Sequence, residues 1–102
     1  MTTKSKAIKQ LESIFGPLYF RDLLKAHRVG EEWTQTELGN ILNISVQKVC
    51  DYEKGRRLPS MQTAVRWAKK LKEPHEIWVK AYLQQQVDDA GLDLVVDVDA
   101  VS

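Results

Sequence analysis

Between Ser45 and Arg57 the chain reads SVQKVCDYEKGRR, which gathers an amide at Gln47, a carboxylate at Asp51 and cationic groups at Lys48, Lys54, Arg56 and Arg57. Presented outward from a helix, such groups hydrogen-bond base edges and phosphates; they also furnish any ordinary solvated basic helix. Both possibilities stand until the neighbouring elements are considered. Reactive residue types are sparse elsewhere. His75-Glu76 opens an H-E-x-x-H zinc pattern, but Val79 occupies the second histidine position, so no metal site is expected. Cys50 is the only cysteine, which excludes an internal disulfide and a thiolate metal cluster. No glycine-rich phosphate loop, nucleophile elbow or paired-carboxylate pattern is present, so the chain is expected to be a non-enzyme without a cofactor.

The elements that must position these groups are legible from periodicity and stop signals. Ser5 to Phe15 places Ile8, Leu11, Ile14 and Phe15 on one helical stripe that Gly16-Pro17 ends. Leu18 to Val29 repeats the period through Phe20, Leu23, Leu24 and His27, with Gly30 as the stop. Thr34 and Glu37 form a capping-box pattern, so a short helix begins at Gln35 and buries Leu38, Ile41 and Leu42. Asn43 tolerates the left-handed conformation a sharp turn requires, and Ser45 then caps a helix whose Val49 and Tyr52 face inward and which Gly55 ends. Ser60 caps a helix burying Met61, Ala64, Val65, Ala68 and Leu71, with Trp67 at its edge. A last helix runs from Pro74 to about Ala90, with Ile77, Trp78, Ala81, Tyr82 and Gln85 on one side and Gly91 closing it. Trp78 and Tyr82 suit either the core or a partner surface.

The 102 residues, 43% of them apolar, suffice for one compact domain. No stretch has the length and apolarity of a membrane helix, and the Lys4, Lys6 and Lys9 region leads into no signal-peptide core, so a cytoplasmic location is expected. A net charge of +1 conceals an asymmetry. Asp88, Asp89, Asp93, Asp97 and Asp99 follow Val87 with no Lys or Arg among them, so residues 1–87 set all 15 basic residues against 9 acidic ones, a balance of +6. In the same tail Leu92, Leu94, Val96 and Val98 alternate with Asp93, Val95, Asp97 and Asp99, the period of a strand. A lone strand in a helical chain has no ladder partner, so its pairing is expected with another chain.

The stretch from Trp33 to Leu71 resembles the helix-turn-helix of the Cro/repressor, or Xre, family. The resemblance rests on T-Q-T-E-L-G at Thr34 to Gly39, Ile44-Ser45 entering the second helix, Val49, the Tyr52-Glu53-Lys54-Gly55 ending and Pro59-Ser60. It implies an all-α, lambda-repressor-like bundle, here with an extra N-terminal helix and a C-terminal strand paired between chains. Residues 1–90 would form the helical domain (core 18–73, last helix 74–90) and residues 91–102 the acidic tail. Carried onto matching positions, the family's roles put Val46, Gln47 and Asp51 on base edges, and Gln35, Lys48, Lys54, Arg56 and Arg57 on phosphates. Arg28 and Glu53 match a structural ion pair. The chemistry agrees: Gln47 can bind adenine N6 and N7, Val46 can pack on a thymine methyl, and Asp51 can accept from cytosine N4. Asp51 needs that cytosine or a basic neighbour to sit near phosphates. Gly39 stands where the family mostly has alanine, and Asn43 where it has a turn glycine.

Two functions follow as expectations. One is a dimeric, sequence-specific repressor on palindromic double-stranded DNA, with Leu92, Leu94, Val96 and Val98 as the dimer strand. The other is an antitoxin that neutralises a toxin protein through that tail and represses its own operon.

Overall fold

The computed structural model describes residues 16–97, so the helix expected at Ser5 to Phe15 and the end of the tail, including Val98, lie outside the described residues. Among the described residues five helices follow one another: α1 (Phe20–Gly30), α2 (Gln35–Leu42), α3 (Val46–Glu53), α4 (Met61–Lys70) and α5 (His75–Asp89). α2 packs on α3, α4 on α5, and α1 against both α3 and α5, which makes α1 the bridge between the two pairs.

Local chemistry sets the helix ends. Thr34 Oγ1 accepts from the Glu37 N–H at 3.0 Å while Glu37 Oε1 accepts from the Thr34 N–H at 2.8 Å, closing the capping box. Ser45 and Ser60 cap α3 and α4 through the N–H groups of Lys48 and Thr63. Asn43 is left-handed at φ 60°, Gly55 at 75° and Gly91 at 80°. The stop after α1 differs from expectation. Gly30 stays helical, and Glu32 takes the left-handed position at φ 61°. The Glu32 N–H bonds Val29 O and the Trp33 N–H bonds Arg28 O, a closure that folds Trp33 back onto the core. Lys72, at φ 60°, ends α4 in the same way: its N–H bonds Lys69 O and the Glu73 N–H bonds Ala68 O. Each non-glycine residue held left-handed costs about 1–2 kcal/mol, which these closures offset.

Phe20 and Leu24 of α1, Leu38 of α2 and Val49 of α3 are fully buried, and each contributes about 1.5–3 kcal/mol. Trp67 belongs to this core and not to an edge. Its ring stacks on Phe20 at 6.2 Å and meets Tyr52 edge-on at 5.2 Å, because the small Ala64 and Ala68 let α4 approach closely enough for the indole to fill the gap. Met61 and Val65, expected inside, are only half-buried. Trp78 and Tyr82 resolve to the core: both meet Phe20 edge-on, and the Tyr82 hydroxyl donates to Pro59 O at 2.6 Å. Burial raises the Tyr82 phenol above its ordinary pKa.

Residues 92–97 carry no strand ladder. The tail nevertheless has a partner within the chain, which the sequence pattern did not suggest. Gln84 of α5 donates through Nε2 to Leu94 O and accepts through Oε1 from the Val96 N–H, both at 2.8 Å. Val96 is accordingly half-buried, while Leu92 and Leu94 stay exposed. Gln85, fully buried beside it, accepts from the Arg21 N–H at 2.9 Å, and its Nε2 has no partner among the described residues.

Candidate nucleic-acid interface

Between α2 and α3 lie only Asn43, Ile44 and Ser45. The turn closes through Ile44 N–H to Gly39 O at 2.8 Å, with the left-handed Asn43 reversing the chain. A Cβ on Gly39 would stand 2.7 Å from Ile44 O. The two helices therefore meet more tightly here than alanine allows, which gives a packing reason for the glycine.

That turn presents the first turn of α3 to solvent. Val46, Gln47 and Lys48 are all exposed, while Val49 and Tyr52 anchor the opposite face in the core. Gln47 Nε2 donates to Asp51 Oδ1 at 3.1 Å. An amide nitrogen has two hydrogens, so this bond leaves one hydrogen and Oε1 available, the pair that bidentate contact with adenine uses. Asp51 steadies Gln47 without consuming it. The same carboxylate accepts from Arg56 Nη1 at 3.3 Å and lies 3.9 Å from Arg57 Nε, so the basic neighbours it requires come from the loop after α3. Lys54, Arg56 and Arg57 are exposed. Arg56 and Arg57 are more than half exposed, so these pairs with Asp51 hold them only weakly.

Behind the exposed face the helices are tied by a buried polar cluster. Arg28 Nε and Nη2 donate to Glu53 Oε2 and Oε1 at 2.7 and 3.1 Å, and Nη1 donates to Trp33 O at 3.0 Å. The Glu53 side chain is 3% exposed. The hydrogen bond to Glu53 raises Arg28 above its ordinary pKa, against the opposing effect of burial. Gln35 sits in this cluster too, its Nε2 donating to Glu53 Oε1 at 3.1 Å. Its side-chain amide thus points back to the protein, and what α2 offers outward at this point is backbone. The N–H groups of Gln35 and Thr36 have no partner among the described residues, the arrangement of a helix N-terminus open to an anion.

The structure also brings up a residue that the sequence reading missed. Arg21, at the start of α1, lays its side chain against Gly55, with Cδ 2.9 Å from where a Cβ would stand, and its guanidinium lies 4.4 Å from the Tyr19 ring centroid. A cation from α1 thereby joins Lys54, Arg56 and Arg57 at the end of α3. The available signal was its spacing of seven from Arg28, which puts both arginines on one helical face. No group of three or more His, Cys, Asp or Glu residues able to hold a metal occurs among the described residues.

A capped short helix, a turn through a left-handed residue, and a second short helix with a polar exposed first turn define a helix-turn-helix DNA-binding module. The sequence pattern of a family described as helix-turn-helix matches residues 24–78, just over half of the chain, and the protein belongs to that family, the Cro/C1 type. It is a DNA-binding regulator of transcription in the general sense. No curated protein and no solved structure matches it significantly. No helix among the described residues is long and apolar enough to cross a membrane.

Proposed function

We propose that the protein is a cytoplasmic, non-catalytic repressor that reads double-stranded DNA in the major groove through α3 and acts as two copies on a palindromic site. The observation that carries this reading is the exposed first turn of α3, where Gln47 is held by Asp51 with its adenine-binding edge free. Val46 packs on a thymine methyl beside it. The α2 N-terminus meets one phosphate through the N–H groups of Gln35 and Thr36, and Lys48, Lys54, Arg56 and Arg57 follow the flanking backbone. One such module buries too little surface for operator-grade affinity, so two copies one DNA turn apart are required.

Selection of bound sequences from a random DNA pool tests this directly. The expected product is a palindrome whose half-sites are centred about 10 base pairs apart and contain an adenine at the position facing Gln47. Recovery of single, non-repeated sites overturns the dimeric part, and recovery of no common sequence overturns base reading.

A further inference from the structure

In a parallel ladder a strand residue donates to one residue of its neighbour and accepts from the residue two further on. The Gln84 amide makes this pair of bonds with Leu94 O and the Val96 N–H. It thus stands in for a strand residue opposite Val95, and it reaches both groups only where Leu94 to Val96 runs strand-like. Gln84 is 4% exposed, so the packed helix α5 holds the amide in place. Successive residues of a strand turn their backbone groups to opposite edges and their side chains to opposite faces. Val95 therefore directs its own N–H and C=O away from Gln84, and neither has a partner among the described residues. Val95 is 77% exposed, and strand alternation sets it on one face with Asp93 and Asp97. Part of the ordering cost of strand addition, about 1–2 kcal/mol per residue, has already been met here.

We propose that the Val95 edge of the tail is a docking edge for a strand of a different protein, one that sets basic residues opposite Asp93 and Asp97 and an apolar residue opposite Val95. Charge selects this occupant. A second tail pairing reciprocally at Val95 in antiparallel register would place Asp93 of each copy directly opposite Asp97 of the other, and directly opposed like charges destabilise a strand pair. No Lys or Arg follows Val87 to relieve them, and Asp88 and Asp89 add to the same field. A basic strand converts each of these repulsions into an attraction, while backbone hydrogen bonds to Val95 supply the affinity common to strand addition. The proposal stands on the tail and is independent of the DNA reading, so either can fail alone.

The test uses the full chain, labelled for amide-resolved hydrogen exchange, and two synthetic peptides of equal composition. In the first, Lys, Val and Lys occupy alternate positions separated by threonines; in the second, the lysines are adjacent. The alternating peptide is expected to slow exchange of the Val95 N–H on the order of tenfold when about nine-tenths of the sites are filled, and the second peptide to leave it unchanged. Val95→Pro, which removes the outward N–H while leaving the groups bound by Gln84, should abolish binding of the first peptide without altering helical content. Gln84→Ala should weaken it several-fold by releasing the tail. Equal protection by both peptides, or none by the alternating one, overturns the proposal. So does a Val95 N–H already protected in the free chain together with a tail-dependent dimer in sedimentation, which assigns the edge to a second copy.

Discussion

Gln47 and Gln84 carry the same amide, and the two ends of the molecule use it in opposite ways. Gln47 lies exposed on α3, and its bond to Asp51 leaves a hydrogen and an oxygen facing solvent. Gln84 is buried in α5, with both ends of its amide committed to the tail backbone. An exposed hydrogen bond contributes about 0.5–1.5 kcal/mol net and exchanges readily for one to a ligand; a buried group stripped of its partner costs about 1–3 kcal/mol. Exposure, and not residue type, separates an amide that can recognise from one that holds the chain in place. Gln35 stands between the two, half-buried with its side chain turned to Glu53 while its backbone faces outward.

The largest effect is expected where buried polar chemistry intrudes into the recognition end. Glu53→Ala leaves the Arg28 guanidinium without its carboxylate and should lower stability by roughly 3 kcal/mol, read as a fall in the urea midpoint. A loss under about 1 kcal/mol would mean that water replaces Glu53 and that the two ends do not differ in this respect. At the exposed site the pattern should invert. Gln47→Ala should change stability by less than about 0.5 kcal/mol, yet weaken binding to the preferred DNA by about 1–3 kcal/mol and relax selectivity at one base pair. Equal weakening on every sequence removes Gln47 from base reading.

Gly39→Ala sharpens the contrast from the side of packing. The substitution gains about 1 kcal/mol of helix propensity, but its Cβ would lie 2.7 Å from the backbone oxygen of Ile44. Overpacking of this kind costs about 1–3 kcal/mol, so a net destabilisation of roughly 1 kcal/mol is expected in chemical unfolding. A stabilised variant would show that the turn widens freely. The smallest effect concerns Arg57, whose ion pair with Asp51 lies in solvent. Arg57→Ala should leave stability unchanged and reduce the log–log salt slope of DNA binding by about one. An unchanged slope places Arg57 away from the phosphates.

By itself the sequence determined the features whose partners lie three or four residues away. The capping box of Thr34 and Glu37, the caps at Ser45 and Ser60, the left-handed turn at Asn43 and the stops at Gly55 and Gly91 all follow from local hydrogen bonding and the sterics of single residues. The inward pair Val49 and Tyr52 was legible for the same reason, since they lie three apart on one helical face, whereas the assignment of Val46, Gln47 and Asp51 to the outer face rested on the family resemblance. Tertiary structure decided what depends on contacts between distant segments. Glu32 takes the left-handed position because Trp33, which follows it, must return to the core, although glycine at residue 30 offered an easier stop. Arg21 reaches the recognition end only because α1 lies across α3. The alternating tail met the side chain of Gln84 in place of a strand, because an amide on a packed helix carries the same donor and acceptor as a peptide group, and no periodicity in sequence distinguishes the two.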